Sequence, residues 1–125
     1  MTLINASFRH AGAQQLAQSL LAARQATLSL FDCYTYAGLD VVAGMPHHPQ
    51  LSPPLWQLGN IAWFAEWYIL REAPSSHPAD AVYNSLLTRG DDLFDANMVD
   101  HRARWSLDLP SPGAVKTYCH EVLDR

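Results

Sequence analysis

The chain has 125 residues, 49% of them hydrophobic and 10% aromatic, and carries 8 Lys+Arg against 12 Asp+Glu for a net charge of −4. Such a chain predicts one globular domain with a real core rather than a disordered tail or a multidomain protein, and its singly scattered basic residues argue against a nucleic-acid partner. The start, MTLINASFRHAG, lacks a secretory pattern, and no run approaches the roughly 18 apolar residues of a membrane span, so a soluble, cytoplasmic protein with no membrane partner is expected.

The first predicted element is a helix from about Gly12 to Tyr36, with Leu16, Leu20, Leu28, Phe31 and Tyr34 recurring at helical spacing, Gln14, Gln18 and Arg24 elsewhere on its surface, and Gly38 able to end it. A breaker-rich loop follows, VVAGMPHHPQLSPP. The second helix begins with Ser52 as N-cap and proline in its first turn, and runs to about Glu72, where Pro74 stops it. A shorter helix over Ala79–Thr88 ends at Gly90, and DDLFDANMVDHRARWSLDLP reads as a turn or two of helix followed by an extended loop. The last helix opens with Ser111 as N-cap and Pro112 in its first turn, and repeats Val115, Tyr118, Cys119, Val122 and Leu123 on one face. No alternating runs flank an Asn-Gly or Asp-Gly turn, so the class is all-α, an up-down helical bundle. The last helix has no stop signal before Arg125, which predicts an incomplete four-helix bundle and a longer parent protein.

The second helix carries the most informative run, LSPPLWQLGNIAWFAEWYILR. At about 100° per residue, with Trp56 at 0°, Asn60 falls near 40°, Trp63 near 340° and Trp67 near 20°. These four form one stripe, and the small Gly59, Ala62 and Ala65 lie on other faces where neighbouring helices can approach. Asn60 is therefore predicted to point inward. A buried amide without partners costs about 1–3 kcal/mol, so it must be hydrogen-bonded in the core, hydrated or facing a ligand cavity.

Other polar residues offer less. Cys33 and Cys119 have neither a CxxC nor a metal spacing and are expected to be reduced thiols packed as small hydrophobes. His47 and His48 are adjacent in a proline-rich loop, HxH and HxxxH spacings are absent, His120 leans outward on the last helix, and His10 and His77 sit near breakers without an assignable role. Asp91, Asp92 and Asp95 read as a helix start and solvated surface. Arg102 and Arg104 carry guanidinium forks that can grip a carboxylate, although a surface ion pair of Arg102 with Asp95 or Asp100 is the plainer alternative.

The run S-P-x-x-W-x-L-x-x-I-x-x-x-x-E-x-x-x-L-R, with Ser52, Pro53, Trp56, Leu58, Ile61, Glu66, Leu70 and Arg71, resembles the N-terminal DinB-like helical domain of the ergothioneine-biosynthesis sulfoxide synthases and their selenoneine-making relatives. The resemblance continues through Leu93-Phe94-Asp95, VDHRARW from Val99 to Trp105, LDLPSP from Leu107 to Pro112, and Tyr118-Cys119. It implies a non-haem iron(II) site of three histidines at which oxygen is activated to join sulfur or selenium to the imidazole of hercynine. In that family the first histidine stands at the position of Asn60. The other two form an H-x-x-x-H pair on a later helix, and much of the substrate pocket comes from a C-terminal domain similar to formylglycine-generating enzymes. Neither lies in this sequence. A carboxamide is a weak ligand for iron(II), so this chain by itself is expected to hold no iron and to be inactive.

The same resemblance places His101 near the active site and aligns Arg102 with an arginine that holds a co-substrate carboxylate. The matching second arginine is Trp105, which argues against γ-glutamylcysteine and is closer to the selenoneine-type relatives. A hercynine-like small molecule is the expected ligand. The alternative is a helical bundle without catalysis, used for protein association or small-molecule binding. A bundle lacking one helix should leave its tryptophan stripe partly uncovered, which predicts a homodimer.

Overall fold

The computed structural model of the protein describes residues 12–43, 45–71 and 85–124. They form an all-α bundle: α1 (Ala13–Tyr36), α2 (Pro54–Ala65) prolonged by a π-helical turn (Glu66–Leu70), the short α3 (Gly90–Phe94), a 3-10 turn (Arg102–Trp105) and α4 (Pro112–Leu123). No strand occurs among the described residues, and none of their helices is long and apolar enough to cross a membrane. α2 is the central element and packs against α4, α3 and α1.

Local chemistry explains the helix ends. At the end of α1, Gly38 takes φ +75°, the N–H of Leu39 reaches the carbonyl of Tyr34 (2.8 Å) and that of Gly38 reaches Thr35 (3.1 Å). This is the paired closure that a left-handed glycine makes cheap. Ser111 caps α4, its Oγ accepting from the N–H of Ala114 at 3.2 Å, with Pro112 in the first turn. Ser52 does not cap α2. Pro53 occupies that position without a side-chain cap, and the Ser52 hydroxyl instead accepts from Arg104 (3.0 Å).

α2 continues to Leu70, its last turn widened, with the N–H of the capping Arg71 bonded to the carbonyl of Glu66 at 2.9 Å; the expected end at Glu72 lies outside the described residues. The stop expected at Pro74 lies outside the described residues. So does the first part of the helix expected over Ala79–Thr88. Its remainder, residues 85–88, is bend and turn because Glu66 draws in both the Ser85 hydroxyl (2.7 Å) and the Leu86 N–H (2.6 Å). Gly90 opens α3 rather than ending a helix: Arg89 precedes it at φ 63°, and the N–H of Gly90 bonds to Leu87 (2.9 Å).

The core is built from Phe31, the buried arc of α2, Leu93 and Phe94 of α3, and Val115, Tyr118, Cys119 and Val122 of α4. At about 100° per residue the buried α2 positions run from Leu58 near 200° through Ala62, Leu55 and Gly59 to Trp63, Trp56 and Trp67 near 20°. The tryptophans are thus one flank of the buried surface, and its centre is the small-residue side where Phe94 lies against Gly59. The tryptophan stripe is fully covered, contrary to expectation; what stays open is the opposite flank, with Ile61, Phe64, Tyr68 and Ile69 at 52–64% exposure. α1 buries only Phe31, leaving Leu16, Leu20 and Tyr34 exposed and Leu28 half-buried. Cys119 is buried as expected, whereas Cys33 is exposed and packs as no hydrophobe.

Candidate functional site

Asn60 lies where the arc ends, at about 40° from Trp56, and is accordingly half-buried. Its Nδ2 donates to the carbonyl of Phe94 at 2.7 Å, one turn along from Trp56, whose Nε1 donates to the carbonyl of Leu93 at 2.7 Å. Both orphan carbonyls belong to the last turn of α3, so the two side chains act as its C-terminal cap.

The same edge of α2 receives the 3-10 turn. Arg104 lays its guanidinium over the Trp56 ring at 3.8 Å, donating to Ser52 Oγ (3.0 Å) and to the carbonyl of Val99 (3.3 Å). Burial lowers its pKa, with Asp100 opposing, and its Nε is buried without a partner. Beside it Trp105 donates from Nε1 to the carbonyl of Pro46 (3.2 Å) and packs between two imidazoles, His47 at 4.6 Å and His101 at 5.1 Å between ring centroids. The two imidazoles lie edge to face at 5.7 Å. A ring nitrogen of His101 is also 2.8 Å from the carbonyl of His48. The loop before α2 and the turn after α3 are thereby held together as an aromatic surface at the N-terminal end of α2.

Of the residues singled out from sequence, Trp105 and His101 come together here, and Asn60 stands two turns into the adjoining helix. Arg102 is exposed and makes no ion pair with Asp95 or Asp100 among the described residues; Arg104 is the arginine that turns inward. His120 is exposed, as its helical position predicts; of the adjacent pair, His47 packs against His101 and Trp105 while His48 Nδ1 accepts from the Gln50 N–H (3.0 Å). His10 and His77 lie outside the described residues. Among the described residues no three His, Cys, Asp or Glu side chains are grouped to hold a metal ion. Asn60 is engaged with a backbone carbonyl, and the imidazoles of His47 and His101 are engaged with Trp105.

Three carboxylates, the buried Glu66 and Asp95 and the half-buried Asp91, are engaged within the bundle. Glu66, 1% exposed, accepts from the Tyr118 hydroxyl (2.7 Å), Ser85 and the Leu86 N–H, tying α2 to α4 and to the segment before α3. Burial, then the Glu66 carboxylate, raises the Tyr118 pKa strongly. Asp91 does stand in the first turn of α3, but it is half-buried rather than solvated: it accepts from both guanidinium ends of the buried Arg71 and from Trp63 Nε1 (2.8 Å). Burial would raise its pKa, but the hydrogen bonds of Arg71 and Trp63 and the Arg71 charge hold it below the ordinary value. Asp95 is 1% exposed and turns the chain by accepting from the Asn97 N–H at 3.0 Å. Asp92 alone of the three is exposed. The signal for Glu66 was present: the rotation that puts Asn60 near 40° puts Glu66 near 280°, in the middle of the buried arc.

No protein-family model matches the chain. It is similar to the hercynine oxygenase of Mycolicibacterium smegmatis, 30% identical over 111 residues. The match takes in 87% of this chain but 23% of that protein, so the chain spans about a quarter of the length of its curated relative. A likeness of that extent is that of a related domain.

Proposed function

We propose that this chain is a helical domain of an enzyme that acts on hercynine, joining sulfur or selenium to its imidazole ring, and that the edge of α2 with the 3-10 turn is one wall of the substrate cavity. The observation that supports it most is the similarity to a hercynine oxygenase across the stretch that builds this wall. Hercynine is a betaine with an imidazole, a quaternary ammonium and a carboxylate. Trp105 with His47 and His101 offers ring faces to the first two, and the free guanidinium of Arg102 suits a carboxylate. In this reading the described residues serve binding and orientation, and the ligands of an oxygen-activating iron are supplied from elsewhere.

Titration with hercynine, followed by calorimetry and tryptophan fluorescence, tests it. Saturable binding is expected, weakened roughly tenfold by Trp105→Ala or Arg102→Ala, since each removes one contact of about 1–2 kcal/mol. Hercynine binding no better than histidine, or indifferent to both substitutions, overturns the reading. Iron content of the Asn60→His variant tests the ligand position separately: an increase over the parent chain supports it, and no change counts against it.

A second reading is favoured by the open flank of α2, where the Phe64 and Tyr68 rings lie 4.6 Å apart on the surface. In it the bundle is a non-catalytic association module whose partner is a second copy of the chain.

A further inference from the structure

On the side of α2 away from Asn60, helices α1, α2 and α4 enclose a half-open cavity of about 260 Å³. Its walls are aliphatic, with Leu28, Leu58, Ile61, Ile69 and Val122 among them, and Arg24 is the one charged residue in the lining among the described residues. The sequence pattern puts Arg24 on the outer surface of α1; the structure turns it to this cavity instead. Guanidinium nitrogens Nε and Nη1 are buried with no hydrogen-bond partner among the described residues, and no carboxylate of those residues lines the space. The other polar groups of the wall are engaged: the Thr27 hydroxyl donates to Ala23 (2.9 Å) and the Cys119 thiol to the carbonyl of Leu58 (3.9 Å).

Arg24 is half-buried, and two of its guanidinium nitrogens are left unsatisfied beside an apolar space unless an acceptor completes them, which an anion does best. We infer that this cavity binds a small amphiphile with one anionic group, its apolar body between the three helices and its carboxylate, sulfonate or phosphate on Arg24. The volume is just under the ~300–1,000 Å³ of drug-sized pockets, so the ligand is short. Because the cavity and the Trp105 surface lie on different sides of α2, the inference stands apart from the hercynine reading.

Two dyes that fluoresce in apolar surroundings separate charge from apolarity: anilinonaphthalene sulfonate and the neutral N-phenylnaphthylamine. Both should bind, the sulfonate more tightly. Arg24→Met keeps the apolar stem and should weaken the sulfonate roughly tenfold, the size of one charge-assisted hydrogen bond, while leaving the neutral dye within about twofold; Arg24→Lys should fall between. Ala65→Trp, which fills the cavity, should remove both dyes, with circular dichroism checking that helix content persists. Octanoate should displace the sulfonate from the parent chain, and inorganic phosphate alone should not. Sulfonate affinity unchanged in Arg24→Met, equal loss of both dyes there, or sulfonate binding that survives in a folded Ala65→Trp overturns the inference.

Discussion

Asn60 commits its amide to the carbonyl of Phe94, and the neighbouring Trp56 commits its indole to that of Leu93, so two side chains of α2 close the last turn of α3. Asn60→Leu keeps the volume and removes the donor. Because the site is half-buried and water can reach it in part, the cost is expected at about 1 kcal/mol, the low end for an orphaned carbonyl. Urea denaturation checks this, and a variant as stable as the parent would mean that the bond contributes nothing. Cys119 offers a test by pH. Burial pushes its thiol from 9.0 up to about 11, against the opposing charge of Arg24. The folded state therefore keeps a proton that the unfolded chain releases, so this contribution is complete below pH 9.0 and is lost as pH rises through about 11. The loss amounts to at most about 2–3 kcal/mol at 1.36 kcal/mol per unit. Under reducing conditions the urea midpoint should fall between about pH 8.5 and 10.5, and Cys119→Val should flatten the fall. Equal slopes in the two proteins would show that Cys119 is not its source.

At the scale of elements, α2 and α3 meet backbone to ring. A Cβ on Gly59 would stand well inside van der Waals contact with Phe94, a fully buried side chain whose ring has nowhere to retreat. Gly59→Ala should destabilise the bundle by about 1–3 kcal/mol although alanine favours helix, because overpacking outweighs propensity. Adding Phe94→Leu should restore part of the loss, and a double-mutant cycle with no coupling would contradict the contact. The sequence made much of this legible: the inward rotation of Asn60, the left-handed glycine after α1 and the Ser111 cap all follow from spacing and local chemistry. The turn of helix at DDLF was legible as well, but not how it starts, since that depends on a left-handed Arg89 and on the side chain of Glu66 holding Leu86, a contact across 20 residues. Ser52 misled for a similar reason. A hydroxyl before a helix usually caps it, but here Arg104 from a distant turn takes the oxygen. The carboxylate of Asp91 looks like a surface group until tertiary packing brings Arg71 to it across 20 residues, whereas Asp95 is held locally by the turn to the Asn97 N–H and is buried by its surroundings.

For the whole molecule the decisive feature is which flank of α2 remains uncovered. Trp56, Trp63 and Trp67 are sealed by α3, α4 and two arginines, the half-buried Arg104 over Trp56 and the buried Arg71 over Trp67. Ile61, Phe64, Tyr68 and Ile69 are not, and with the exposed Leu20 of α1, which shares a cavity wall with Ile61 and Ile69, they form an apolar surface. Apolar surface of this kind promotes self-association in proportion to the area it can bury. The chain is therefore expected to form a dimer through this flank. Sedimentation should show a monomer–dimer equilibrium that Phe64→Glu with Tyr68→Ser shifts at least tenfold toward monomer, a change of about 1.4 kcal/mol. Both positions are more than half exposed, so the fold should survive, and unchanged thermal unfolding of the variant at high dilution would verify that. The hercynine response offers a second discrimination, because Trp105 and Arg102 lie off this flank. A variant that becomes monomeric yet binds hercynine like the parent would separate association from substrate recognition. Loss of hercynine binding on dissociation would instead require the second copy to complete the cavity.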